Sequence, residues 1–159
     1  EVTRAPRGLL WDDSVGTGHR ALVMLSNLYL QILLTFHVYF WFAFGIFSVA
    51  VTVYKGLTFY YPNGALGWEI ALLCVFFFLE WVRLSMASRG NKTETLEPLA
   101  KSIFLGFLGI LGHAFFLRMQ TWVILVEVVA NSVGLAFSGA EMLFKLYTAS
   151  RIYYDQRAH

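Results

Sequence analysis

Ionisable and amide side chains recur at helical spacing in two long apolar stretches of the chain. In the last stretch, polar or small residues follow at intervals of 4, 3, 4, 3 and 4, at Glu127, Asn131, Gly134, Ser138, Glu141 and Lys145. An earlier stretch carries Glu69, Glu80 and Arg83 on one face by the same spacing rule. Carboxylates beside a guanidinium form ion pairs, and carboxylates inside a membrane also mark ion and proton pathways.

The composition indicates that these residues belong to an integral membrane protein. Of the 159 residues, 58% are hydrophobic and 14% are charged, and the mean hydropathy is +0.61. Roughly 25% of an average soluble domain is charged. The composition therefore excludes a disordered chain or a disulfide scaffold and argues against a soluble enzyme. The net charge of +2 is too small to predict nucleic-acid binding.

Four uncharged or nearly uncharged runs are long enough to cross a bilayer, which needs about 20 helical residues. They predict an all-α, integral membrane four-helix bundle with spans near 30–54, 67–87, 99–117 and 121–147. We assign 22–148 to the membrane domain and 1–21 and 149–159 to terminal tails. The polar stretch 88–98 is predicted to be a solvated loop, and the last two spans to form a tight antiparallel hairpin.

Lysine and arginine are unevenly distributed between the two sides of this bundle. The side that holds the termini and 88–98 carries nine, at Arg4, Arg7, Arg20, Arg89, Lys92, Lys101, Lys145, Arg151 and Arg157. The opposite side carries two, Lys55 and Arg118. By the positive-inside rule, both termini are expected to be cytosolic.

Depth along the spans predicts how the buried charges pair. Arg83 and Glu141 lie at similar distances past the centres of spans two and four, which run in the same direction. Glu80 is three residues from Arg83 on the same helix. We therefore expect a Glu80–Arg83–Glu141 cluster that joins spans two and four.

Other polar groups are expected to complete this pattern. Asn131 and Ser138 could satisfy the remaining groups of the cluster. Near the opposite end, Arg118 is the nearest predicted counter-charge for Glu69 and Glu127.

Three interpretations of these intramembrane charges remain open at this stage. They could be structural contacts, a conduction or proton-coupling site, or a contact with a partner subunit. His37 and His113 lie on opposite sides of the membrane midpoint, so we expect each to be a packed residue bonded to a carbonyl. No metal or cofactor site is predicted, since no further ligand lies at a suitable spacing.

Small residues indicate where helices approach closely. Five glycines are candidates for helix packing, within this chain or against a partner helix: Gly106, Gly109, Gly112, Gly134 and Gly139.

Several of these residues also carry a resemblance to a known family. The segments are Glu80–Leu84 with Gly90-Asn91, Tyr54–Gly56, Tyr60–Pro62, and Gln120–Val123 followed by Glu127-Val128, Asn131, Phe137, Gly139 and Glu141. Together they resemble the small four-span family of ciliary membrane proteins that includes the transmembrane proteins 216, 17 and 80. Lys145 departs from the acidic residue expected in the nearest branch.

The resemblance implies a place and a role. Members of that family sit in the ciliary transition zone, in a complex with tectonic, B9-domain and coiled-coil scaffold proteins. This complex supports ciliogenesis and gates the entry of membrane proteins into the cilium. The resemblance implies a scaffold that is not an enzyme, contacts membrane lipids and those partners, and uses no cofactor.

Two other functions stay open beside this one. The first is a small ion- or proton-coupled transporter that uses Glu80, Glu127 or Glu141. The second is an accessory subunit of another large membrane complex, such as a respiratory one.

Overall fold

The computed structural model describes residues 27–158, which form four α-helices with short connections. The helices are α1 (Leu28–Thr58), α2 (Ala65–Thr93), α3 (Leu96–Arg118) and α4 (Leu125–Ala158). Each is long and apolar enough to cross a bilayer. For residues 27–158 the structure thus confirms an all-α fold with four candidate spans. The predicted tail 1–21 and the start of the predicted membrane domain lie outside the described residues.

The helices extend beyond the predicted spans at several points. The segment 88–98, expected to be a solvated loop, is mostly helical, because α2 continues to Thr93 and α3 begins at Leu96. Helix α4 likewise continues through the predicted C-terminal tail as far as Ala158. An apolar run marks the part of a helix that fits the bilayer, whereas polar residues can prolong the same helix outside it. At its other end α4 starts at Leu125, a few residues later than predicted.

The helices form a ring of antiparallel neighbours. Helix α2 packs against α1 and α3, and α4 packs against α3 and α1. Helices α2 and α4 are therefore diagonal partners that run in the same direction. Any direct link between them must cross the middle of the bundle through side chains.

One end of the bundle is closed by asparagine side chains. The side chain of Asn27 caps α1 by accepting from the backbone N–H groups of Tyr29 and Leu30 at 3.0 and 3.3 Å. The Asn91 amide on α2 bonds the Asn27 backbone in both directions, at 2.9 and 3.1 Å. The start of α1 is therefore held against the end of α2.

The apolar core is divided into two clusters. One is aliphatic and lies at the end that holds Asn27: Leu30, Leu34, Leu84, Ala87, Leu99 and Ile152. The other is largely aromatic: Phe44, Leu73, Phe76 and Phe116. The buried charged residues of α2 and α4 lie between these clusters and beyond the second one.

Candidate functional site

Arg83 is the centre of a buried ion network, which we call the inner network: His37, Glu80, Arg83, Glu141 and Lys145. The guanidinium Nη2 donates to Glu80 Oε2 at 2.6 Å, and Nη1 donates to Glu141 Oε2 at 2.6 Å. None of the five side chains is more than 2% exposed. Because Glu80 and Arg83 are on α2 and Glu141 is on α4, the guanidinium connects the two diagonal helices across the bundle.

Two further groups complete the surroundings of Glu141. His37 Nδ1 lies 2.5 Å from Glu141 Oε1, and Lys145 Nζ lies 3.1 Å from Glu141 Oε2. Because a carboxylate has no proton to donate, the imidazole donates to it through Nδ1–H. Lys145 is one helical turn from Glu141, which gives the cationic residue a partner inside the same helix.

The formal charges of the acidic and basic residues in the inner network cancel. Glu80 and Glu141 supply two negative charges, and Arg83 and Lys145 supply two positive charges. An isolated charge in a low-dielectric interior is expensive, whereas a neutral, hydrogen-bonded set is tolerated. The network therefore satisfies the main electrostatic requirement of burial with groups from this chain alone.

A second cluster, the outer network, lies at the opposite end and consists of Lys55, Glu69, Gln120, Glu127 and Tyr61. Lys55 Nζ lies 2.9 Å from Glu127 Oε1 and also donates to Gln120 Oε1. Only 1% of Lys55 is exposed. The last turn of α1 is thereby tied to the first turn of α4.

Glu69 links α2 to the two interhelical segments at this end of the bundle, the one between α1 and α2 and the one between α3 and α4. It accepts from the backbone N–H of Thr121 at 2.6 Å and from the Tyr61 hydroxyl at 3.3 Å. Tyr61 lies between α1 and α2, outside both helices. Burial and the nearby negative charge of Glu69, to which the phenol also donates, raise the pKa of Tyr61 to about 12. The phenol therefore stays protonated and remains a donor.

The amide of Asn131 joins two helices near the middle of the bundle. Its Oδ1 lies 3.1 Å from His113 Nδ1 on α3, and its Nδ2 donates to the Glu127 carbonyl at 2.9 Å. The His113 ring meets Phe76 edge to face at 4.9 Å between centroids. Each of these polar groups is thus fixed by a side chain from another helix or by its own backbone.

Glycine makes room for the polar side chains. A Cβ at Gly109 would collide with Glu80 Oε1, and a Cβ at Gly134 would collide with the His113 ring. At Gly106 the obstacle would be the flexible end of Met142, at 2.8 Å, and at Gly112 it would be the Phe76 ring. The predicted packing positions on α3, together with Gly134, therefore mark close approaches within this chain.

Several expectations for individual residues were wrong. Arg118 is exposed and does not pair with Glu127, whose counter-charge is Lys55 from the end of α1. Within residues 27–158, the buried Ser138 hydroxyl has no hydrogen-bond partner, so it satisfies no other group. A Cβ built at Gly139 would have no other atom within 4 Å, so Gly139 does not mark a close approach between helices. His37 bonds a carboxylate rather than a carbonyl.

The same geometry limits the chemistry of the site. In the described part of the chain, no three His, Cys, Asp or Glu side chains are arranged to hold a metal ion. A cavity beside Glu69, Glu127 and Asn131 has a volume of about 10 Å³. That is the space of about one water molecule. The arrangement is thus suited to holding helices together.

These features define an integral membrane protein of the four-helix type with ion pairs buried inside the bundle, one of which joins two diagonal helices. A family model described as "Predicted membrane protein", Transmemb_17, matches residues 32–138, and the chain belongs to this family. The match covers α1, α2, α3 and the part of α4 that carries Glu127 and Asn131.

Curated relatives carry the name transmembrane protein 216. The protein of Rattus norvegicus is 29% identical over 124 residues, covering 78% of this chain and 88% of the relative. The protein of Homo sapiens is 27% identical over 124 residues, covering 78% and 86%. That of Danio rerio is 29% identical over 140 residues, covering 88% and 87%. No solved structure gives a significant match.

Proposed function

We propose that this chain is a structural subunit of the ciliary transition-zone membrane complex. In this role it would contribute to ciliogenesis and to gating the entry of membrane proteins into the cilium, without being an enzyme. Tectonic, B9-domain and coiled-coil proteins are the proposed partners, together with membrane lipids. The proposal rests on membership of the family and on its resemblance to ciliary members.

The internal neutralisation of the buried charges is the observation that supports a structural role. Arg83, Glu80, Glu141 and Lys145 use one another as partners, and Lys55 and Glu127 do the same. These ion pairs fix the relative positions of α1, α2 and α4. A rigid bundle with an apolar outer surface is the form that a membrane scaffold requires.

The same packing gives no support to a transporter. The carboxylates expected to carry ions in that alternative are held by ion pairs, and the cavity beside Glu127 has room for about one water. Proton flux into liposomes that contain the purified chain discriminates between the two functions. Flux that Glu127→Gln abolishes would overturn the structural proposal.

Localisation tests the proposal directly. The full chain, tagged at its own locus in ciliated cells, should form a ring at the base of the cilium. It should co-purify with tectonic and B9-domain proteins in mass spectrometry. A uniform signal over the plasma membrane, without these partners, would contradict the proposal.

A matched pair of variants tests whether the inner network is required in this experiment. Arg83→Leu removes the centre of the inner network and should abolish both the ring and co-purification. Lys101→Leu removes an exposed cation that, within residues 27–158, pairs with Glu97 one turn away, and should leave both unchanged.

A further inference from the structure

A groove follows the outer surface between α1 and α2, and neither ion network uses it. Its mouth lies where α2 ends and has a volume of about 510 Å³. A second depression of about 410 Å³ extends it toward the middle of the bundle. Trp41 and Phe42 line both, so the two depressions adjoin along α1, and together they are called the groove.

The two ends of the groove differ in chemistry. Apolar residues, among them Val38, Trp81 and Leu84, form part of the mouth. The polar side chains that line it all come from the last turns of α2: Ser85, Ser88, Arg89, Lys92 and Thr93. No carboxylate of the described residues lines it. Arg89 and Lys92 are exposed, and neither has an ion-pair partner within residues 27–158. The mouth is therefore an uncompensated positive site with donors for phosphate oxygens.

The deep end is almost entirely apolar. Its walls are aromatic, because Trp41 packs against Phe42 and Phe77 at 4.7 and 6.1 Å between centroids. Gly45 lines the groove without a side chain and leaves room beside Ile46 and Val49. Such a surface offers an acyl chain contact along its length.

The mouth of the groove spans about one leaflet of a bilayer. From Gln31, which bonds Ser88 at the mouth, to Trp41, where the two depressions adjoin, α1 advances by 10 residues, or about 15 Å. Half of a bilayer core is about 15 Å thick. At about 44 Å, α2 is as long as a whole bilayer with its headgroups, so its last turns reach headgroup level.

We propose that this groove binds one phospholipid with a net anionic headgroup. Arg89 and Lys92 hold the headgroup, and one acyl chain lies along Trp41 and Phe42 toward Ile46. Charge complementarity at the mouth selects an anionic lipid over a zwitterionic one. This inference concerns the groove alone and does not depend on the ciliary proposal.

Photo-crosslinking of the full chain tests the proposal. p-Benzoylphenylalanine replaces Ile46, and the chain is reconstituted in vesicles of equal parts phosphatidylserine and phosphatidylcholine with identical acyl chains. Mass spectrometry of the irradiated protein should find intact phosphatidylserine as the main adduct. With about fivefold preference per cation near a charged headgroup, two cations predict an enrichment of about thirty-fold over phosphatidylcholine.

Two charge-matched variants identify the source of the preference. Arg89→Gln with Lys92→Gln should bring the ratio of the two lipids close to one. Lys101→Gln with Arg151→Gln removes two cations from the same end of the bundle but outside the groove, and should keep the ratio. Thermal unfolding of both variants in detergent should match the parent, because all four side chains are exposed.

Several results would overturn the proposal. Equal labelling by the two lipids in the parent chain would show no headgroup selection. A crosslink to residues 1–26, or to a second copy of the chain, would assign the groove to a peptide occupant. An equal loss of preference in both double variants would assign it to general surface charge.

Discussion

Arg83 has a different task from an exposed arginine, because it is the cation through which two diagonal helices meet. Its guanidinium has several donors in a fixed plane, and these reach Glu80 on one side and Glu141 on the other. Lysine presents a single point charge and could not form both contacts in this geometry. The identity of the residue, and not its charge alone, is what the bundle requires.

Removing Arg83 should therefore be strongly destabilising. Arg83→Leu leaves Glu80 without its cation and takes one of two cations from Glu141, so the free energy of unfolding should fall by about 3 kcal/mol. Reversible unfolding in mixed detergent micelles measures this loss. Lys101→Leu, at an exposed i,i+4 pair, should leave the unfolding midpoint unchanged. Similar midpoints for the two variants would refute the central role of Arg83.

Tyr61 predicts how stability depends on alkaline pH. Its pKa of about 12 in the folded chain exceeds the value of about 10 in an unfolded one. The folded state therefore retains its proton between these values, and the stability contributed by Tyr61 is present below pH 10 and lost as pH rises toward 12. The Tyr61→Phe variant should lack this part of the alkaline loss.

Ultraviolet titration at the tyrosinate band checks the assignment. The difference between the parent and Tyr61→Phe should titrate near pH 12. The control is the corresponding difference between the parent and Tyr60→Phe, because Tyr60 is 83% exposed. A Tyr61 difference that titrates near pH 10 would show that the phenol does not donate to Glu69.

At the scale of the helices, the absence of a side chain at Gly109 on α3 makes room for the Glu80 carboxylate on α2. Gly109 faces Glu80 so closely that a methyl group would occupy the place of a carboxylate oxygen. The small residues of α3 thus do more than let two backbones approach, since they also create space for the inner network. The face of α3 that carries Gly109 therefore serves both helix packing and the placement of the Glu80 carboxylate.

Two glycine substitutions test this view. Gly109→Ala should lower the free energy of unfolding by about 1–3 kcal/mol, because Glu80 must move away from Arg83. Gly139→Ala fills open space and improves helix propensity, so its stability should stay the same or rise by up to about 1 kcal/mol. Detergent unfolding of both variants measures the contrast. A loss at Gly139 equal to that at Gly109 would contradict the proposed packing.

The sequence was sufficient to predict the four helices and the contact between Arg83 and Glu141. Apolar runs give the number of spans, and equal depth on parallel spans brings those two residues to the same level. The same depth argument applied to α1 would have found His37, which lies before the centre of a span antiparallel to α4. Lys55 was missed because a charge at the end of an apolar run resembles a loop residue. The structure shows that Lys55 is buried and pairs with Glu127.

Other features could not be predicted from the sequence. The polar segment 88–98 is compatible with both loop and helix, and contacts such as that between Gly90 and Leu99 decide in favour of helix. Whether a glycine packs closely depends on which face of its helix meets a neighbour. Gly109 and Gly139 are alike in sequence and opposite in environment for this reason.

For the whole molecule, the arrangement of polar and apolar groups is the reverse of that in a soluble bundle. Charges occupy the interior as two networks, one between the two apolar clusters and one at the end opposite Asn27. Large apolar side chains such as Phe36, Ile46, Phe78, Leu111 and Leu143 face outward. An outward apolar surface is stable only in lipid or against other membrane helices. Since both ends of the described chain lie at the same end of the bundle, the direction of insertion determines which surfaces meet the cytosol.

The distribution of lysine and arginine predicts that direction. The order of the spans in the sequence assigns nine of these residues to the side of the termini and two to the opposite side, of which Lys145 and Lys55 are buried. The excess on the terminal side remains, so the connection between α2 and α3 should be cytosolic. Cysteine labelling measures this in a Cys74→Ala background, with single cysteines at the exposed positions Asn63→Cys and Thr95→Cys. In intact cells an impermeant maleimide should label Asn63→Cys, and Thr95→Cys should react only after the plasma membrane has been permeabilised. The reverse pattern would invert the bundle, and it would move the groove with its two cations to the outer leaflet.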